Sequence, residues 1–136
     1  MIHRRYAFLI LIVLLVACGR EQPPPTPTGP TVGNVPIYPN AQNLDDPPLV
    51  LRGIAQSHGA SLNNVQVGTF TTSDNADTVL DYYQEEMRRL GWLFIDQITF
   101  GGNNRIQRFL KDGHRGIVAA VPDGSGTLLL ILDGEQ

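Results

Sequence analysis

His58 in QSHGAS and His114 in KDGHRG are the side chains best suited to acid–base chemistry in the body of this chain. Ser57 adjoins His58, and serine with histidine is the pairing a nucleophilic triad uses. Neighbours in sequence seldom give that geometry, and no spacing brings a carboxylate to the imidazole. A zinc site built from His58, His114 and a carboxylate has no ligand spacing behind it. Asp77, Asp81, Glu85 and Glu86 gather carboxylates in one segment, but at intervals that read as the wet face of a helix. Asp123-Gly124-Ser125-Gly126 offers one carboxylate, too few for calcium, and reads as a turn. Asp45-Asp46 before Pro47 reads as a loop. No GxSxG, HExxH, phosphate-loop or CxxC pattern occurs. The expectation is a non-enzymatic protein with no metal and no cofactor.

The one cysteine, Cys18, closes the stretch MIHRRYAFLILIVLLVAC. His3, Arg4 and Arg5 form a basic start. Tyr6 to Ala17 is an unbroken apolar run of signal-peptide length, short of the roughly 20 residues that span a bilayer. One cysteine cannot make a disulfide framework. Leu15-Val16-Ala17-Cys18 resembles the lipobox of bacterial lipoproteins. That resemblance implies cleavage before Cys18, a diacylglycerol on its thiol and an extracytoplasmic, membrane-anchored protein. Two or three acyl chains hold firmly where one does not, at about 0.8 kcal/mol per buried CH₂.

The net charge of −3 becomes −5 once Arg4 and Arg5 leave with residues 1–17. An acidic chain excludes nucleic acid as a partner, because that affinity rests on Lys and Arg neutralising phosphates, and it leaves membrane attachment to the acyl chains. Residues 18–33 read as lipidated cysteine and spacer: GREQPPPTPTGPTVG has too little apolar surface to fold. In polyproline form these fifteen residues reach roughly 45 Å, at about 3.1 Å per residue. The remainder, 34–136, is the size of one domain.

One helix is written plainly. Ala76, Val79, Leu80, Tyr83, Met87 and Leu90 form a single apolar stripe, with Ser73 or Asp74 as cap, Glu85 and Arg89 as an ion pair, and Gly91 as the stop. Four strands follow, over 92–100, 105–111, 116–121 and 127–132, joined by Gly-Gly-Asn-Asn, Asp-Gly and Asp-Gly-Ser-Gly turns. TLLLIL, apolar on both faces, reads as a central strand. Before the helix, Val65 to Thr71 alternates as a strand. Val35 to Tyr38, between prolines, reads as an edge strand, PLVLRGI at 48–54 as a short apolar segment, and 55–64 as a loop. The predicted fold is α+β: one amphipathic helix packed on an antiparallel sheet of about four to six strands, in two layers.

Tyr38-Pro39-Asn40-Ala41 followed by Thr72, Asp74, Val79, Tyr82, Tyr83, Gly91 and Trp92 resembles small domains that recur in uncharacterised bacterial lipoproteins. The resemblance implies a fold and carries no activity. Tyr38, Tyr82 and Trp92 are the candidate contact residues, with Trp92 also suited to plug the helix–sheet core. The expected function is that of an interaction module of the cell envelope. Its partner would be an envelope protein, bound on the sheet face away from the helix and at the edge near Tyr38. A carrier or sensor of a small apolar ligand, held between helix and sheet, is the alternative. A hydrolase acting on envelope polymers through His58 or His114 is the third reading.

Overall fold

In the computed structural model, which describes Gly19 and residues 21–136, the chain first doubles back as a short hairpin of β1 (Thr31–Val32) and β2 (Val35–Pro36). Cys18 and the leader lie outside the described residues. Val32 and Val35 are buried in the main core, so packing begins upstream of the expected start at residue 34. Then come β3 (Gln42–Asn43), α1 (Leu49–Gly59), β4 (Asn63–Thr72) and α2 (Ala76–Arg89). A meander of β5 (Leu93–Phe100), β6 (Asn104–Lys111), β7 (His114–Asp123) and β8 (Gly126–Glu135) completes the chain.

The strands from β3 onward make one six-stranded antiparallel sheet in the order β3-β4-β8-β7-β6-β5. β8 carries TLLLIL and lies between β4 and β7, as its two apolar faces require. Leu129 and Ile131 point to one face, Leu130 and Leu132 to the other. α2 carries the chain over the first face from β4 to the far edge at β5. Its stripe is buried throughout, Tyr83, Met87 and Leu90 completely. Asn75, not Ser73 or Asp74, caps it, with Oδ1 accepting from the Thr78 N–H at 2.9 Å. Arg89 pairs with Glu86 one turn back, at 2.5 Å, in place of Glu85. Gly91 takes φ +85° and ends the helix as expected.

The α+β class and antiparallel sheet hold, but the helix count and layering are corrected. The segment read as a short apolar stretch and a loop is α1, and it lies on the face opposite α2, giving three layers. Pro48 sets an extended lead-in at φ −64°, ψ 162°. One turn later Leu51 and Ile54, three residues apart, pack on Ile117, Leu130 and Leu132. Two fully buried positions make too thin a stripe to announce a helix by periodicity. The apolar face beneath supplies the reason for it, since most helical stability in proteins comes from packing.

Candidate functional site

The two faces of the sheet are covered unequally. On the α2 side, the 14-residue helix shares the work with the β1–β2 hairpin and Tyr38. Tyr38, Tyr82 and Tyr83 stack edge-on or tilted, with ring centroids 5.1 to 6.4 Å apart. The Tyr38 hydroxyl donates to Asp74 at 2.6 Å, and Tyr83 donates to the Pro36 carbonyl at 3.0 Å. Burial, then the Asp74 carboxylate, pushes the Tyr38 phenol up to about 12. Trp92 packs against Gly116, whose missing side chain makes room for the indole. Tyr38 and Trp92 are 6% and 4% exposed, so neither offers a face to a partner. Of the three expected contact residues, only Tyr82 is partly open.

On the other side α1 is the one helix, joined by Leu44 and Leu62 from the flanking loops. Six strands about 4.8 Å apart span roughly 24 Å, and a helix with its side chains is about 10 Å wide. Apolar sheet is left uncovered on both flanks. Toward β4 a trough of about 340 Å³ runs between Leu51 and Ala55 of the helix and Val67 and Leu130 of the sheet. Toward β5 lies a groove of about 420 Å³. Its helix wall is Leu49, Val50, Gly53 and Ile54, and its floor is Ile98, Phe100 and Ile106. A Cβ on Gly53 would meet nothing within 4 Å, so that part of the groove is open space.

One end of this groove is polar. Ser57 and His58 stand at its rim, and the Ser57 hydroxyl donates back to the Ile54 carbonyl at 3.1 Å. The floor continues from Ile98 and Ile106 to the next residues on the same face, Asp96 and Arg108, which pair across the strands. Arg108 Nε donates to Asp96 Oδ1 at 2.7 Å, and its second nitrogen completes a two-point pair. That hydrogen bonding holds the Asp96 carboxyl below its ordinary range. Burial, followed by the positive charges of Arg108 and Arg115, lowers His58 from 6.5, so at neutral pH its ring is uncharged. Arg115 Nε is buried there with no partner among the described residues.

His114 does not join this end, although Arg115 beside it in β7 does. It lies on the opposite face, its Nδ1 3.1 Å from the buried Asp133, whose other oxygen accepts from the Asn34 main chain and side chain. The two histidines therefore share no site. Among the described residues no three His, Cys, Asp or Glu side chains are placed to hold a metal. Asp77 is engaged by Arg105 and Glu86 by Arg89, so the carboxylates of α2 line a solvated face. A third depression, of about 700 Å³, lies between α2 and β5, but charged Asp81, Glu85 and Arg88 form one wall.

A family model described as START domain-like matches residues 54–127, just over half of the chain. The chain belongs to the START domain-like family. The START domain-like match runs from Ile54, midway along α1, to Thr127 at the start of β8. It takes in the groove floor of Ile98, Phe100 and Ile106 together with Ser57 and His58. No curated protein and no solved structure matches the chain. The groove was missed in the sequence because its roof, α1, was missed. The signal available was Gly53, a glycine with no turn residues beside it.

Proposed function

We propose that this chain is a lipid-anchored, extracytoplasmic, non-enzymatic module of the bacterial envelope that carries or senses a small apolar ligand in the groove between α1 and β5. The observation that carries it is the open apolar groove left where one short helix lies on a broad apolar sheet face. Membership of the START domain-like family is compatible with a ligand-binding module. The expected protein-contact surface supports a binding partner less well. The sheet face away from α2 is occupied by α1, and Tyr38 is inside.

The groove selects by chemistry. Seven of its wall and floor residues are apolar or glycine, and His58 with Arg108 and Asp96 marks one end. A ligand with an apolar body and one hydrogen-bonding end fits that order. The lipid anchor rests on Cys18 and the apolar run before it, which lie outside the described residues.

The test is organic extraction of protein purified without detergent exchange, followed by mass spectrometry, beside titration with a fluorescent apolar probe. A co-purifying amphiphile, displaced by the probe and lost in Ile98→Asp, is the expected result. Protein that carries nothing and binds the probe no better than Ile98→Asp would sink the reading.

A further inference from the structure

The proline-rich segment does not stand free along its whole length. Pro24 lies against Gly91: a Cβ on that glycine would sit 2.8 Å from Pro24 Cβ. Thr26 and Pro27 continue past Leu90, Trp92 and Lys111 to the hairpin at Thr31. Only the residues before Pro24 are left as tether. Five residues separate Pro24 from Cys18, at most about 22 Å of chain, against the roughly 45 Å expected of a free spacer.

That short tether ends beside an unusual corner of the sheet. Leu93, Phe94 and Ile95 follow Gly91 and Trp92 directly and are 64%, 42% and 41% exposed. They open β5, the outermost strand. Leu93 faces the α1 side and Phe94 the α2 side, where it meets Phe109 edge-on with centroids 5.6 Å apart. A β-bulge between Phe94 and Asp96 leaves Ile95 opposite no residue of β6. Apolar groups therefore project from both faces and the edge at one point. A flat protein partner covers one face. A wedge with apolar tips on both faces, bordered on the α2 side by the charged Asp81, Glu85 and Arg88, fits the boundary between headgroups and acyl chains, where apolar residues bury about 5–10 Å deep.

We infer that Leu93, Phe94 and Ile95 form a bilayer-contacting corner, held against the membrane by the short tether from Cys18. The inference rests on the reading of Cys18 as the lipid-bearing residue. It fixes the domain's orientation: the C-terminal end of α2 and the β6–β7 turn face the lipid, and the β7–β8 turn at Ser125 points away. Lys111, whose ammonium donates to the Leu90 carbonyl, and Arg88 stand at the lipid-facing end.

The test places an environment-sensitive fluorophore on single cysteines, Ile95→Cys or Ser125→Cys, in the full lipidated protein. The protein is reconstituted in vesicles of phosphatidylethanolamine and phosphatidylglycerol. A blue shift at 95 with quenching by spin-labelled lipid, and neither at 125, is the expected result. Adding Leu93→Glu, an exposed site that leaves the fold intact, should abolish the shift at 95. Protein that floats with the vesicles while the label at 95 stays in water overturns the inference and leaves the anchor standing. Protein that does not float, with no acyl chains on its N-terminal peptide, overturns both.

Discussion

Gly53 breaks a local rule, and the groove explains why. A glycine inside a helix costs about 1 kcal/mol relative to alanine, yet here it sits in the middle of an 11-residue helix and needs no positive φ. Open space over its Cα is what the residue provides. Gly53→Leu should therefore raise stability by up to about 1 kcal/mol in urea denaturation while weakening apolar-probe binding at least tenfold. A variant both more stable and fully competent to bind would show that the groove is not the site. His58 gives a second residue-level expectation. Its folded-state pKa is lowered from 6.5 by burial and by Arg108 and Arg115. The unfolded chain thus takes up the proton first as pH falls, and stability drops below about pH 6.5. The Tm lost between pH 7 and 5 should be smaller in His58→Gln than in the parent. An identical loss in both would mean that other groups set the slope.

At the scale of elements, the sequence announces what repeats and hides what is short. α2 is legible because six positions recur at helical spacing and all six are buried. The meander is legible because its turns carry glycine where positive φ is needed, as at Gly113 and Gly124. α1 is hidden because only Leu51 and Ile54 are fully buried and its leucine and valine residues suit a strand equally well. The candidate site inherits that gap: His58 and Ser57 were visible as residues, but their place beside an apolar groove depends on a helix the pattern does not declare. Gly91 was legible as a stop, though not as the seat of Pro24. Both roles bear on one prediction. At φ +85° any side chain is strained by about 1–2 kcal/mol, and a methyl group there would also press on Pro24. Gly91→Ala should lower stability by at least about 1 kcal/mol in urea denaturation. It should also release the proline segment, read as faster proteolysis between residues 21 and 30. A stability change without faster cleavage would show that the contact with Pro24 contributes nothing to holding the segment.

At the scale of the whole molecule, the family match and the packed domain have different limits. The START domain-like match covers residues 54–127, but the main core draws Val32, Val35 and Tyr38 from well upstream. These residues close the α2 side over β4 and β8, while toward β5 that side keeps the depression walled by Asp81, Glu85 and Arg88. Completely burying a Val, Leu or Phe side chain stabilises by about 1.5–3 kcal/mol. Losing all three residues would then cost several kcal/mol, a large share of a stability of about 5–15 kcal/mol. Asp133 sharpens the effect. It is 3% exposed and accepts from the Asn34 main chain at 2.8 Å and side chain at 2.9 Å. Without Asn34 it would lose both of these bonds, with His114 as its remaining side-chain partner. Removing residues 19–30 should change stability by less than about 1 kcal/mol, since the segment adds no buried core residue. Extending the deletion through Pro39 should leave a chain that is largely unfolded at room temperature, with weak near-ultraviolet circular dichroism. If the longer deletion unfolds cooperatively at the parent's urea midpoint, the hairpin is an appendage, and the matched residues with β8 are a domain in their own right.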